Sequence, residues 1–325
     1  MRAVVLSGPG PVENLTVVEL PVPEPPPGWV RVEVRAFGPN RSELHTRLGL
    51  AEGVTFPRVP GIEAVGVVDS DCDLPVGQQV AVMMGGMGRV FDGGYAEYTA
   101  VPRELLIPFT SELPWEVLGA VPETLQTAYG SLTTGLDLRA GQTLLIRGGT
   151  SALGFATAAL AVDLGARVLA TTRRADRLDV LREHGVAHPL VDDGKVAAQV
   201  RELVPEGVDA ALELVGTPTL PDTLAATKVH GTVCFTGMLS NEWLVRDFYP
   251  IGYLPKGVRL TAYGGESSDL PAEVLQRFLD RVAGGEVGLG PTTVYRLDEI
   301  RQAHDDMEHG RRVGKLVVLV RGESA

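Results

Sequence analysis

Short β-type runs alternate with Gly/Pro turns over roughly the first 110 residues: RAVVLSG, LTVVEL, WVRVEVRAFG, GIEAVGVVDS, QQVAVMM and YAEYTAV. Such runs bounded by turn residues predict an all-β lobe. The proline cluster PVPEPPPG at 21–28 lies between two of them and reads as a stiff connector. Near Glu112 the pattern changes, and SELPWEVLGAVPETLQTAYGSL opens a helical stretch. Strand and helix then alternate: TLLIRGG, LGFATAALAVDLG, RVLATTR, ADRLDVLREHG, HPLVDD, KVAAQVRELV, VDAALELVG, a short helix and GTVCFTG. Strands without internal polar alternation, separated by helices, predict a parallel sheet covered on both faces. The expected class is therefore α/β, with a β-rich lobe followed by a doubly wound domain. Beyond Arg259 come RLTAYGG, LPAEVLQRFLDRVAGG, TTVYRL, DEIRQAHDDMEHG and KLVVLV. Pattern alone leaves open whether these extend the parallel sheet or return to the first lobe.

Composition narrows the picture. A chain of 325 residues, 44% of them hydrophobic, has material for two cores and does not fit a disordered, collagenous or repeat protein. Its 41 acidic against 29 basic side chains give a net charge of −12, and no basic tract stands out. The phosphate-backbone electrostatics that dominate nucleic-acid affinity are missing, so no nucleic-acid partner is expected. Cys72 and Cys234 supply neither a disulfide framework nor a multi-cysteine zinc site, which fits a reducing cytoplasm. The start of the chain has no signal-type apolar core, and no window is long and apolar enough for a membrane span.

The strand TLLIRGG runs directly into Gly148, Gly149, Thr150, Ser151, Ala152, Leu153 and Gly154, and then into a helix. A small-residue turn there lets backbone N–H groups and the helix dipole meet a pyrophosphate. With Gly149 first and Gly154 last, Ser151 occupies the position of the second glycine of the strict pattern. At the end of the following strand an NAD site places a carboxylate for the ribose 2′-OH. Here that tip reads Thr171, Thr172, Arg173, Arg174, with hydroxyls and guanidinium forks suited to a 2′-phosphate. The cofactor expected is NADPH.

Taken together and in order, several segments resemble the medium-chain dehydrogenase/reductase superfamily, and within it the zinc-free quinone oxidoreductase-like branch. They are GPNRSELHTRLG (38–49), VPGIEAVGVV (59–68), DGGYAEY (92–98), ETLQTAYGSL (123–132), GGTSALG, ATTRR and GKLVVLV. The resemblance implies a GroES-like catalytic lobe over 1–115, a Rossmann dinucleotide-binding domain over 116–258 and a C-terminal segment, 259–325, that returns to the catalytic lobe. Where the zinc alcohol dehydrogenases carry their first cysteine ligand the chain has Asn40, and where they carry a histidine before the glutamate it has Ile62 before Glu63. Catalytic zinc needs three protein ligands, so no metal is expected.

The resemblance also implies roles. Asn40 is similar to the asparagine that zinc-free members place beside the nicotinamide, where its NH₂ can donate to a developing enolate oxygen; the alternative is a turn residue after Gly38-Pro39. His45 falls where relatives have a tyrosine or a relay histidine and is a candidate proton donor, the alternative being a surface histidine. Tyr129 is a second donor candidate, weighed against a packing role. Thr127 resembles the threonine that contacts the nicotinamide end. Lys315 matches a basic residue that reaches the pyrophosphate in relatives. Gly216 and Gly237 close the fourth and fifth parallel strands, where ligands sit in such sheets. Glu63 reads as structural.

The function expected is an NADPH-dependent reductase that passes hydride to a quinone or another conjugated carbonyl compound, because conjugation delocalises the charge that a zinc ion would otherwise stabilise. A zinc-free alcohol or aldehyde dehydrogenase is the second reading, and a non-catalytic NADPH-binding sensor or structural protein the third. The strand GTVCFTG and the segment bearing Trp243, Phe248 and Tyr253 predict a homodimer joined at the edge of the Rossmann sheet.

Overall fold

The apolar runs at the start of the chain form strand pairs at once. In the computed structural model, which describes residues 1–321, β1 (Arg2–Leu6) lies antiparallel to β2 (Leu15–Glu19). β3 (Trp29–Phe37) buries Val30, Val32, Val34 and Ala36 and turns the residues between them outward, the pattern of a strand with one face on a core. There follow α1 (Arg41–Arg47), β4 (Glu63–Val68), β5 (Gln79–Met83), β6 (Tyr98–Pro102), β7 (Leu106–Pro108) and α2 (Trp115–Leu118). α3 (Pro122–Gly130) runs on into one π-helical turn, Ser131–Gly135. The described chain divides inside α3: one unit comprises Met1–Gln126 and the chain from Glu266 on, the other Thr127–Gly265.

The second unit is a regular alternation. It contains β8 (Thr143–Arg147), α4 (Ala152–Asp163), β9 (Arg167–Thr172), α5 (Leu178–Glu183), β10 (His188–Val191), α6 (Val196–Leu203), β11 (Val208–Glu213), α7 (Leu220–Ala226), β12 (Thr227–Phe235), α8 (Pro250–Tyr253) and β13 (Arg259–Ala262). All six strands are parallel, in the order β10-β9-β8-β11-β12-β13. Renumbered within the unit, that is the 3-2-1-4-5-6 order of a Rossmann sheet. Its strands bury Leu145, Leu169, Ala211 and Val233 under the helices, which is why they carry no polar alternation.

The rest of the chain is α9 (Ala272–Ala283), β14 (Thr292–Arg296), α10 (Ile300–Glu308) and β15 (Lys315–Leu319). β15 lies antiparallel to β3, with Val318 opposite Phe37, and completes the sheet β14-β15-β3-β4-β5-β7, to which β6 adds on β3. Of the stretch beginning at 259, therefore, β13 extends the parallel sheet and the elements from α9 on return to the β-rich, GroES-like unit. No helix among the described residues is long and apolar enough to cross a membrane.

Candidate functional site

In the second unit the turn between β8 and α4 is shaped by what its glycines leave out. Gly148 has φ +89°, and a Cβ on Gly149 would lie 2.6 Å from that of Ala170 on the neighbouring strand. A Cβ on Gly154 would meet the Gly149 carbonyl oxygen at 2.5 Å, so the first turn of α4 rests directly on the loop. Ser151 needs no glycine: its backbone is extended, at φ −78° and ψ 162°. It is the N-cap of α4, its Oγ accepting from Gly154 N–H at 3.0 Å and donating to Gly148 O at 2.9 Å. Thr150, Ala152 and Leu153 are partly exposed at this helix start. The cradle fits a pyrophosphate, because the positive end of a twelve-residue helix opens above a loop without side-chain bulk.

β9 ends beside that turn. Thr171 Oγ1 accepts from Gly148 N–H at 3.0 Å and its carbonyl from Gly149 N–H at 2.8 Å. Thr172 is buried, and its Oγ1 accepts from Arg174 N–H. Arg173 is exposed, while Arg174 pairs through Nε and Nη2 with both oxygens of Asp176, an exposed partner. Gly216, at φ +131°, stands where a Cβ would meet Ser240 Oγ and Glu242 O, and Gly237 packs against the backbone of Leu214. Thr127 is buried and Tyr129 half-buried on the last turns of α3. A Cβ on Gly130 would strike the Tyr263 hydroxyl, so this end of α3 is seated directly against the residue that follows β13.

In the first unit the charged residues converge. Glu63, the first residue of β4, is fully buried; its Oε1 accepts from Lys315 Nζ at 2.7 Å and from Asn40 Nδ2 at 2.9 Å, and its Oε2 from Glu123 N–H at 2.9 Å. Lys315 Nζ donates also to Asn40 Oδ1 at 2.6 Å. The second Nδ2 bond of Asn40 goes to Gly38 O. Gly38 is required here, since a Cβ would lie 2.3 Å from Lys315 Cε and 2.4 Å from Glu63 Oε1. Burial works against the Lys315 ammonium, but Glu63 and Glu123 outweigh it and raise its pKa above the ordinary lysine value. Glu43 completes the group: its Oε2 accepts from Asn40 N–H and its Oε1 from Ile62 N–H at 2.6 Å. Burial pushes its carboxyl up to about 7, against the opposing pull of those amides. His45 lies buried on the same short helix.

Asn40, Glu63 and Lys315 thus form one cluster, while Thr127, Tyr129 and the turn residues belong to the other unit. The donor set around Asn40 does not suit zinc, because an ammonium already occupies the space between the amide oxygen and the carboxylate. No group of three or more His, Cys, Asp or Glu is poised to hold a metal among the described residues. Sequence reasoning missed Glu43, Arg147 and Glu213, all buried charges. For Arg147 a signal existed: a lone arginine closing the apolar run TLLI.

Residues 26–111 match the alcohol dehydrogenase GroES-like domain family, and residues 184–318 match the zinc-binding dehydrogenase family. The chain is 28% identical over 336 residues to a quinone oxidoreductase of Sus scrofa, covering 98% of this chain and 97% of the relative. Among solved structures it is similar to a mycobacterial protein complexed with NADPH, with a TM-score of 0.87 at 25% identity over 98% of this chain and 100% of that one. It is similar also to an NAD-dependent alcohol dehydrogenase, with a TM-score of 0.87 at 26% identity over 99% and 100% of the two chains.

Proposed function

The chain belongs to the medium-chain dehydrogenase/reductase superfamily, an oxidoreductase family, and from that premise we propose that it is an NADPH-dependent, zinc-free reductase of quinones or other conjugated carbonyl compounds. The observation that carries the reading is the Asn40–Glu63–Lys315 cluster. Where the metal dehydrogenases need thiolate and imidazole ligands, this chain offers an amide oxygen and a carboxylate, both already closed on an ammonium. Hydride addition to an isolated carbonyl leaves a localised alkoxide, whereas a quinone or enone spreads the charge and needs only hydrogen bonds and one proton.

The nicotinamide supplies the hydride when bound. The turn amides around Gly149, Thr150, Ser151, Ala152 and Leu153 would hold the pyrophosphate, and Thr172, Arg173 and Arg174 would hold the 2′-phosphate. Thr127, Gly216 and Gly237 would border the dinucleotide. Asn40 Nδ2 exchanges its bond to Gly38 O for one to the substrate oxygen, with the carboxamide kept in orientation by Lys315 and Glu63; His45 or Tyr129 gives the proton. Lys315 is held by Glu63 and Asn40.

Following NADPH oxidation at its absorbance band against quinones, enones and simple aldehydes tests the reading. Turnover is expected with the conjugated acceptors and not with the aldehydes. Turnover confined to aldehydes would favour the alcohol dehydrogenase reading, and saturable NADPH binding without turnover on any acceptor would favour a sensor. We propose further that two copies pair through the β13 edge, where Leu244, Phe248, Tyr249 and Ile251 are exposed in the preceding segment. Light scattering at micromolar concentration is expected to give the mass of two subunits; the mass of one would exclude the dimer.

A further inference from the structure

A buried polar network runs beneath the carboxyl ends of three strands of the parallel sheet. Arg147, the last residue of β8, is fully buried. Its Nε and Nη2 donate to the two carboxylate oxygens of Asp192 at 2.5 and 2.8 Å, and its Nη1 to Asp222 Oδ2 at 2.7 Å and Thr223 Oγ1 at 3.3 Å. Asp192 follows β10, while Asp222 and Thr223 lie on α7. Asp222 accepts as well from Ala197 N–H at the head of α6. Thr223 Oγ1 donates to Glu213 Oε2 at 2.6 Å, and Glu213 Oε1 accepts from Val215 N–H, Gly216 N–H and Thr219 Oγ1. Burial alone would disfavour the guanidinium charge, but Asp192 and Asp222 outweigh it and hold the group ionised.

The place of this network matters more than its extent. β9 lies between β8 and β10, so a side-chain bridge from Arg147 to Asp192 passes under the end of β9. The register puts Thr171 on the same face as Arg147, because Ile146 stands opposite Ala170. The Asp192 N–H holds Thr172 O at 2.8 Å, and the turn amides hold Thr171 from the other side. Beyond Thr172 come Arg173 and Arg174. One arginine therefore neutralises and fixes the carboxylate that lies against the strand end assigned to the 2′-phosphate, and without it Asp192 and Asp222 would keep only backbone amides, from Gly194 and Ala197, and no counter-charge near a doubly charged group.

Building on the NADPH reading, we propose that Arg147 is a positioning residue that sets the preference for a 2′-phosphorylated dinucleotide by holding Asp192 neutralised and in place under the tip of β9. Calorimetric titration of the full chain with 2′,5′-ADP and with 5′-AMP isolates the 2′-phosphate and needs no turnover. Wild type is expected to prefer 2′,5′-ADP. Arg147→Met is expected to weaken 2′,5′-ADP by roughly tenfold or more, with 5′-AMP changed by less than about threefold. Arg147→Lys, which keeps the charge, should retain most of the preference. Asp192→Asn, which leaves Arg147 charged and removes one carboxylate, should strengthen 2′,5′-ADP binding and provides a reading even where Arg147→Met does not fold. Equal losses for both ligands in Arg147→Met, or an unchanged or weakened preference in Asp192→Asn, would overturn the proposal while leaving the NADPH reading intact. A wild type that binds 2′,5′-ADP no better than 5′-AMP would overturn both.

Discussion

Arg173 and Arg174 follow β9 without being equivalent. Arg173 is exposed, whereas Arg174 already forms a bidentate pair with Asp176, both side chains about 60% exposed. Water screens an exposed pair of that kind, so Asp176 competes only weakly with a phosphate, whose bonds to a guanidinium are charge-assisted. If both arginines hold the 2′-phosphate as proposed, replacing them by Ala is expected to raise the KM for NADPH by about tenfold or more, with the KM for NADH little changed, because such contacts are uniform and remote from hydride transfer. Steady-state kinetics with both cofactors checks it, and a double variant with its NADPH preference intact would show these residues to be a solvated helix approach. That strand end was legible in the sequence because it is local. Arg147 shows in the sequence only as a lone arginine after TLLI; its partners do not, because they lie 45 and 75 residues away and only the folded sheet brings Asp192 and Asp222 to it. Glu43 escaped notice for a similar reason, since what raises its pKa is burial in the fold, and the Ile62 amide that opposes this lies 19 residues away.

At the level of elements, the β8–α4 junction shows why an inexact motif still builds the turn. Ser151 interrupts the glycine pattern, yet its extended backbone needs no left-handed freedom and its hydroxyl caps the helix that follows. Ser151→Ala should destabilise the protein by about 1 kcal/mol and Ser151→Gly by only a few tenths, readable as the difference in thermal or denaturant unfolding between the two variants. Equal effects would mean that the hydroxyl does not act as a cap. Gly154→Ala should cost more than either, because its Cβ would meet backbone rather than a flexible side chain. The strand and helix alternation of this unit was readable from the pattern, because buried parallel strands are uniformly apolar. The membership of β13 was not, because its four residues and the glycines after them fit either sheet equally well.

For the whole molecule, Glu43 ties stability to pH. Its carboxyl has a pKa of about 7 in the fold against an ordinary 4.5, so the folded state binds the proton more tightly than the unfolded chain does. Its stabilising contribution is complete below pH 4.5 and is lost as pH rises towards 7, by about 3 kcal/mol in all. Denaturant titrations across that range are expected to show wild type losing this increment and Glu43→Gln, whatever its absolute stability, showing a flatter profile; parallel profiles would place the pH dependence elsewhere. The joining of distant chain segments that produces this cluster also bears on the order in which the protein comes into being. The Rossmann unit is continuous and has all six strands once Ala262 has been made. The GroES-like unit begins earlier in the sequence but holds Glu63 in its interior, and the ammonium that balances this carboxylate arrives only with Lys315, 252 residues later. An uncompensated buried carboxylate is strongly disfavoured. During synthesis, the part of the GroES-like unit that precedes the Rossmann unit is therefore expected to complete its core only after the Rossmann unit has all its strands, once Lys315 is there to meet Glu63.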